Sequence, residues 1–170
     1  MCIRDSVSSA YYVGLYITNS EECRFLQNRI FHAGTGIKIS SSKNLFLDKN
    51  NISSAIIGLD IVSPSYNHTI LASNVLKEKP IYYNFSSQNI LWSGLNASHV
   101  ECHSCTNVTI DNSNISYDGL IIKNSSQIVV KNSQLKSENV NYYLYFENVK
   151  DLVITNNTIG NLGIWVAYNG

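Results

Sequence analysis

The chain has 170 residues, with 12 basic and 12 acidic side chains, no net charge, 44% hydrophobic and 14% charged residues. Balanced charge without a Lys/Arg run excludes nucleic-acid binding by phosphate neutralisation, which needs a clustered basic surface. Apolar stretches such as Ala55 to Leu59 fall far short of the roughly 20 residues a membrane-spanning helix needs.

The polar content is mainly Asn and Ser, and Ile is the commonest apolar residue. β-Branched residues suit half-buried strands, and Asn and Ser suit turns, so the composition predicts an all-β chain. Met1 to Ser6 does not match the pattern of the remaining chain and lacks the apolar stretch of a signal peptide. It is expected to be a leader outside the fold, with residues 7–170 forming one domain.

In chain order, Gly14-Leu15-Tyr16-Ile17, Gly36-Ile37-Lys38-Ile39 and Gly58-Leu59-Asp60-Ile61 recur at a spacing of 22 residues. The match extends further: Phe25 lines up with Leu47, Asn28 with Asn50 and Ile30 with Ile52. Ile70 and Asn74 continue the third copy, and Ile81-Tyr82-Tyr83 opens the next. Val100-Glu101-Cys102, Leu120-Ile121-Ile122, Leu144-Tyr145-Phe146 and Gly163-Ile164-Trp165-Val166 open later copies. The last copy stops at Gly170, so the domain is expected to be an incomplete piece of a longer array.

Spacings of 19 to 24 residues are too short for a βαβ unit, which needs about 30. They fit coils of three short strands, each stacked about 4.8 Å from its equivalent in the next coil. The pattern therefore predicts a single-chain parallel β-helix of about seven coils. Alternation places Ile17, Ile39, Ile61, Tyr83, Cys102, Ile122, Phe146 and Val166 inward as one ladder. Phe25, Leu47, Ile70, Ile110, Val130 and Ile154 form a second. Asn28, Asn50, Asn74, Asn132 and Asn156 are expected at a corner, where Asn tolerates a left-handed backbone and can bond to its equivalent one coil away.

The repeat G-I-x-I-x-x-S-x-N-x-x-I-x-x-N-x-I, the run Lys79-Pro80-Ile81-Tyr82-Tyr83 and the run Cys105-Thr106-Asn107-Val108-Thr109-Ile110 resemble the NosD-like right-handed β-helix proteins of the pectin-lyase-like superfamily. The resemblance runs from about Val13 to Asn169 and implies a right-handed helix. Its members include surface proteins, carbohydrate-binding modules, lyases and hydrolases, and the family label implies copper handling in the periplasm. The paired Asp residues of the superfamily's polygalacturonases and the calcium-binding Asp cluster of its pectate lyases have no counterpart here.

Three groups of side chains could carry chemistry. His99, Cys102, His103 and Cys105 are the ligand types zinc or copper selects. Alternation sends Cys102 inward and the two histidines outward, so the four are not expected to converge on one ion. Cys23 takes an inward position as a small hydrophobe, and no disulfide framework is expected. Asp60 and Glu101 stand two rungs apart on the outward row, about 9.6 Å between backbones. That is close to the separation of an inverting glycosidase pair, and otherwise they belong to a solvated face.

The outward row also carries Tyr16, Tyr82, Tyr145 and Trp165, whose faces could stack on sugar rings, with Asn84 and Lys123 as hydrogen-bonding neighbours. Eight Asn-X-Ser/Thr sequons, at Asn51, Asn67, Asn84, Asn96, Asn107, Asn114, Asn124 and Asn156, arise from the same alternation. The expected function is a non-enzymatic, secreted or cell-surface scaffold that binds polysaccharide or a surface glycan. It needs no cofactor, no nucleic acid and no transmembrane segment, and open coil ends could make end-to-end contacts. A polysaccharide lyase or glycoside hydrolase fragment and a periplasmic copper-handling protein are the alternatives.

Overall fold

A computed structural model describes residues 2–3, 6–8, 12–53, 55–62, 64–137, 144–160 and 163–167. It is an all-β, parallel β-solenoid, without helix among the described residues. The chain divides into two compact units, Met1–Tyr83 and Asn84–Gly170.

In the first unit three lines of parallel strands stack. One line runs through Val13–Thr18, Ala33–Ser40 and Ala55–Val62 and holds Ile17, Ile39 and Ile61 in register. A second runs through Arg24–Leu26, Phe46–Asp48 and Thr69–Ile70, with Phe25, Leu47 and Ile70 in register. The third, through Arg29–Phe31, Asn51–Ile52 and Val75–Leu76, stacks Ile30, Ile52 and Leu76. All nine side chains are buried, as a ladder of inward apolar residues requires. Within the segment expected to be a leader, Cys2–Ile3 pairs in parallel with Arg24 and Phe25, and Ser6 begins a strand that pairs with Arg29–Phe31. Met1, Arg4 and Asp5 lie outside the described residues.

The repeated glycine has a steric cause. A Cβ on Gly36 would stand 2.6 Å from Cγ2 of Ile52 and 2.8 Å from the carbonyl oxygen of Gly58 on the next coil. Because one obstacle is backbone, relief requires the coil to shift, and overpacking of this kind costs about 1–3 kcal/mol. Gly36→Ala is expected to lower the urea midpoint accordingly. Gly163→Ala, where a Cβ would meet nothing within 4 Å, is the control expected to stay within about 0.5 kcal/mol.

Each corner is made by a left-handed residue that recurs coil after coil. Asn19 and Ser41 mark one corner, Glu22, Asn44 and Asn67 another, and Gln27 and Lys49 a third, all with φ between 47° and 57°. Asn28 and Asn50 sit one residue after the third of these positions, Asn74 continues their row on the next coil, and all three are buried. The two tasks expected of one Asn are thus shared between neighbours: Gln27 and Lys49 turn the chain, and the following Asn bonds. Asn28 Nδ2 donates to Asn50 Oδ1 at 2.7 Å, and Asn50 Nδ2 donates to Asn74 Oδ1 at 2.7 Å.

The second unit has two lines. One stacks Gln88–Ser93, Thr106–Asp111, Ser126–Lys131 and Lys150–Thr155. In the other, the third strand of one coil runs without a break into the first strand of the next, giving the long strands Asn96–His103 and Asn114–Lys123. Asn114–Lys123 then pairs with both Gln134–Lys136 and Leu144–Glu147. Cys102, Ile122 and Phe146 form a buried ladder, as do Ile110 and Val130.

Two expected core residues differ from expectation. Val166, in register with Phe146, is 60% exposed, and Ile154 is half-buried. Both lie on strands that, among those described, are paired on one side only, so no neighbouring rung covers them. Asn132 and Asn156 are the left-handed corner residues here, with φ of 51° and 52°. They form an exposed ladder, Asn156 Nδ2 donating to Asn132 Oδ1 at 2.7 Å. The bonding position passes to buried Ser113 and Ser133 and half-buried Asn157, one residue later.

Candidate functional site

The Asn96–His103 strand carries the densest group of ionisable side chains in the second unit. Alternation turns Val100 and Cys102 to the core and puts His99, Glu101 and His103 together on the opposite face. That face is not solvated: all three side chains are buried, Glu101 to 1% exposure. The two histidines close on the carboxylate from either side. His99 Nε2 lies 3.0 Å from Glu101 Oε2, and His103 Nε2 lies 2.5 Å from Oε1.

A fourth group arrives through an irregularity. Ala97 pairs with Ile115 and His99 with Gly119, so Ser98 alone faces Ser116, Tyr117 and Asp118. This bulge carries two left-handed residues, Tyr117 at φ 85° and Gly119 at φ 84°. Bulges re-aim side chains, and this one brings buried Asp118 Oδ2 to 3.7 Å from His99 Nδ1.

Electrostatics follow from the geometry. Burial works against a charged His99, but the hydrogen bond and charge of Glu101, with the charge of Asp118, outweigh it and raise the His99 pKa. Burial likewise opposes a charged Glu101. Hydrogen bonds from His103 and His99 reverse the balance and hold the carboxyl far below the usual carboxylate range. An isolated buried ion would neutralise itself; a bridged one keeps its charge.

Cys102 and Cys105 are joined by a disulfide across the coil's corner. This corrects the expectation of no such framework, which arose because one close pair in a chain of four cysteines does not specify a bond. Both thiolates are thereby consumed. Among the described residues no group of three or more His, Cys, Asp or Glu side chains could hold a metal ion. Cys23, placed in the core by the repeat, is free and only half-buried; its Sγ lies 3.4 Å from the Glu21 carbonyl oxygen.

The same face of the sheet opens toward solvent in successive rungs. Glu101 is in register with Ile121, Ile121 with Tyr145, and Tyr145 with Trp165. Exposure rises from buried Glu101 and Ile121 through half-buried Tyr145 to Trp165 at 54%. Beside them, His103, Lys123 and Glu147 form a parallel row. The Lys123 ammonium stands 5.7 Å from the centre of the Tyr145 ring. Burial and the adjacent Glu147, both by charge and by hydrogen bond, raise the Tyr145 pKa.

Tyr16 is exposed in the first unit, on a row with Lys38 and Asp60, where Asp60 Oδ2 pairs with Lys38 Nζ at 3.2 Å. Tyr82 and Asn84 are half-buried on the Lys79–Phe85 strand. Asp60 and Glu101 therefore each have a cationic or imidazole partner of their own. Of the sequon residues, Asn84 is half-buried and the other seven are exposed.

Asp118 was missed by sequence reasoning, and so was the burial of its three neighbours. A signal existed: His99, Glu101 and His103 sit two apart on one strand face. The spacing from Ile115 to Leu120 also exceeds that from Ala97 to Val100 by two residues, the mark of a bulge. No protein-family model, no curated protein and no solved structure matches this chain.

Proposed function

We propose that the chain is a non-enzymatic β-helix scaffold of the NosD-like type, secreted or displayed at a cell surface, which binds carbohydrate through the outward face bearing Tyr145 and Trp165. The observation that carries this reading is the pair itself. Two aromatic side chains occupy consecutive rungs of one rigid sheet, about 4.8 Å apart along the stack, with Lys123 and Glu147 alongside. Sugar rings stack on such faces while charged neighbours bond their hydroxyls. The disulfide supports an oxidising compartment, where such bonds persist. Against catalysis stands the engagement of Asp60 with Lys38 and of Glu101 with two histidines, because an acid/base pair must reach its substrate.

The test is titration of the protein with soluble homogalacturonan, xylan, β-glucan and chitin oligosaccharides, followed by Trp fluorescence and calorimetry. At least one should bind, and Trp165→Ala should weaken it about tenfold, equivalent to 1.4 kcal/mol. Binding that Trp165→Ala and Tyr145→Ala leave unchanged would discard this face. Release of reducing ends would replace the scaffold with an enzyme.

A further inference from the structure

We propose that the corner between the first two lines of strands in the first unit holds a binding site for a short neutral saccharide, whose ring stacks on Tyr66 and whose hydroxyls bond to the Glu21–Lys43 ion pair, Asn19 and Ser41.

A cleft of about 380 Å³ lies at this corner, at the small end of the roughly 300–1,000 Å³ usual for small-ligand sites. Three successive coils line it, with Glu21, Lys43 and Tyr66 in parallel register. The repeat explains why the third coil differs from the two before it. Asn19 and Ser41 turn the chain in left-handed conformations, at φ of 48° and 47°. Glu21 follows Ile17 by four positions and Lys43 follows Ile39 by four, whereas Tyr66 follows Ile61 by five. The longer bend contains Pro64, whose ring fixes φ near −65° and so cannot repeat the left-handed turn. Pro64 and Tyr66 are both exposed and line the cleft, giving it an apolar side next to the polar groups of the earlier coils.

The backbone around the cleft is fixed from coil to coil. Ser42 Oγ accepts from the Ser20 N–H at 3.1 Å and donates to the Ser40 carbonyl at 2.7 Å. The Lys43 N–H donates to the Ser20 carbonyl at 3.0 Å, and the Tyr66 N–H to the Ser42 carbonyl at 3.2 Å. A ligand therefore meets a site already ordered, which lowers the cost of binding.

The side chains offer hydrogen bonds of both kinds. Among the described residues the Asn19 and Ser41 side chains have no hydrogen-bond partner, and both are exposed. Lys43 Nζ lies 2.9 Å from Glu21 Oε1, with both side chains open to solvent, so three N–H donors stand beside a pair of acceptor oxygens. Neighbouring sugar hydroxyls, each a donor and an acceptor, match that pair, and the C–H face of a pyranose matches an aromatic ring. An acidic sugar does not fit. Lys43 is already paired, and the charge of Glu22 acts on it as well, so the corner sets two carboxylates against one ammonium. The cleft lies wholly within the first unit and shares no residue with the Tyr145–Trp165 face, so it does not rest on that reading.

Titration of the intact ¹⁵N-labelled chain with cellotriose, xylotriose, mannotriose, N,N′-diacetylchitobiose and trigalacturonate, followed through amide chemical shifts, tests the site. At least one neutral sugar should move the Ser41, Lys43 and Tyr66 amides at millimolar concentration. Trigalacturonate should bind about tenfold more weakly, and Tyr66→Ala should weaken the neutral sugar about tenfold. Tyr66→Phe, which keeps the ring, should retain binding, and Trp165→Ala should leave these shifts in place. Amides that none of the neutral sugars moves, preference for trigalacturonate, or unchanged binding by Tyr66→Ala overturns the site. Binding lost in Trp165→Ala and kept in Tyr66→Ala belongs to the other face and overturns this one too. Should Tyr66→Ala fail to fold, Lys43→Met takes its place, with the same loss expected and unchanged binding again overturning the site.

Discussion

Glu101→Gln is expected to lower the free energy of unfolding by about 3–5 kcal/mol at pH 6, the usual cost of removing one member of a buried charged pair. It leaves His99 and His103 in a dry site without the carboxylate that both of them face. The loss should shrink as pH rises. The folded-state pKa of His99 is raised above its ordinary 6.5, so its contribution is complete below pH 6.5 and is lost as pH climbs through the folded value. The Glu101 carboxyl is held below its ordinary 4.5, so its contribution is complete above pH 4.5 and is lost only as pH falls toward the folded value. Both operate together between those two limits, and wild-type stability should decline from pH 6 to pH 9. Urea titrations of both proteins at pH 5.5, 7 and 9 measure this. A variant deficit that grows with pH would show that the imidazolium is not what Glu101 stabilises.

Asn50→Leu should cost about 4 kcal/mol although the two side chains have the same number and branching of heavy atoms. Asn50 Oδ1 accepts from both the backbone N–H and the Nδ2 of Asn28, and Asn50 Nδ2 donates to Asn74 Oδ1 and to the Phe25 carbonyl. The substitution strands buried polar groups on two adjacent coils, and each group so stranded costs about 1–3 kcal/mol. Asn132→Gly is the comparison. It keeps the left-handed corner, loses only exposed bonds, and should stay within about 0.5 kcal/mol. Equal losses in the two variants would mean that burial of the Asn ladder contributes nothing, contrary to the geometry.

Period and alternation were enough to read the stack itself. Ile17, Ile39 and Ile61 must share a face if the period is 22 residues and strands alternate, and they do. Alternation, however, reports which of two faces a side chain takes and not whether that face meets water. Glu101 was placed on the correct side and wrongly assumed to be solvated. Asp118 depended on two extra residues in one strand, which displace the register locally and leave the period before and after intact. Val166 had the right position and the wrong environment, because an inward side chain is covered only when a further rung lies above it. The disulfide was hidden for a similar reason: Cys102 reads as one more inward residue of its ladder, and only the turn of the chain brings Cys105 back to it.

The left-handed corners have a consequence for how the chain folds. Contacts across the stack join residues one coil apart, from 18 positions for Asn114 with Asn96 to 27 for Asn74 with Leu47. Adding coils lengthens the chain without lengthening the loops that must close, so mean sequence separation divided by length falls as the array grows. Closing the first loop bears an entropy cost that rises only as the logarithm of its length, and each later coil docks on a template already formed. Corner residues such as Asn112, Asn132 and Asn156 visit left-handed space readily, which shortens the search at each bend. Folding is therefore expected to be limited by pairing the first two coils and then to advance rung by rung, like a zip rather than a collapse.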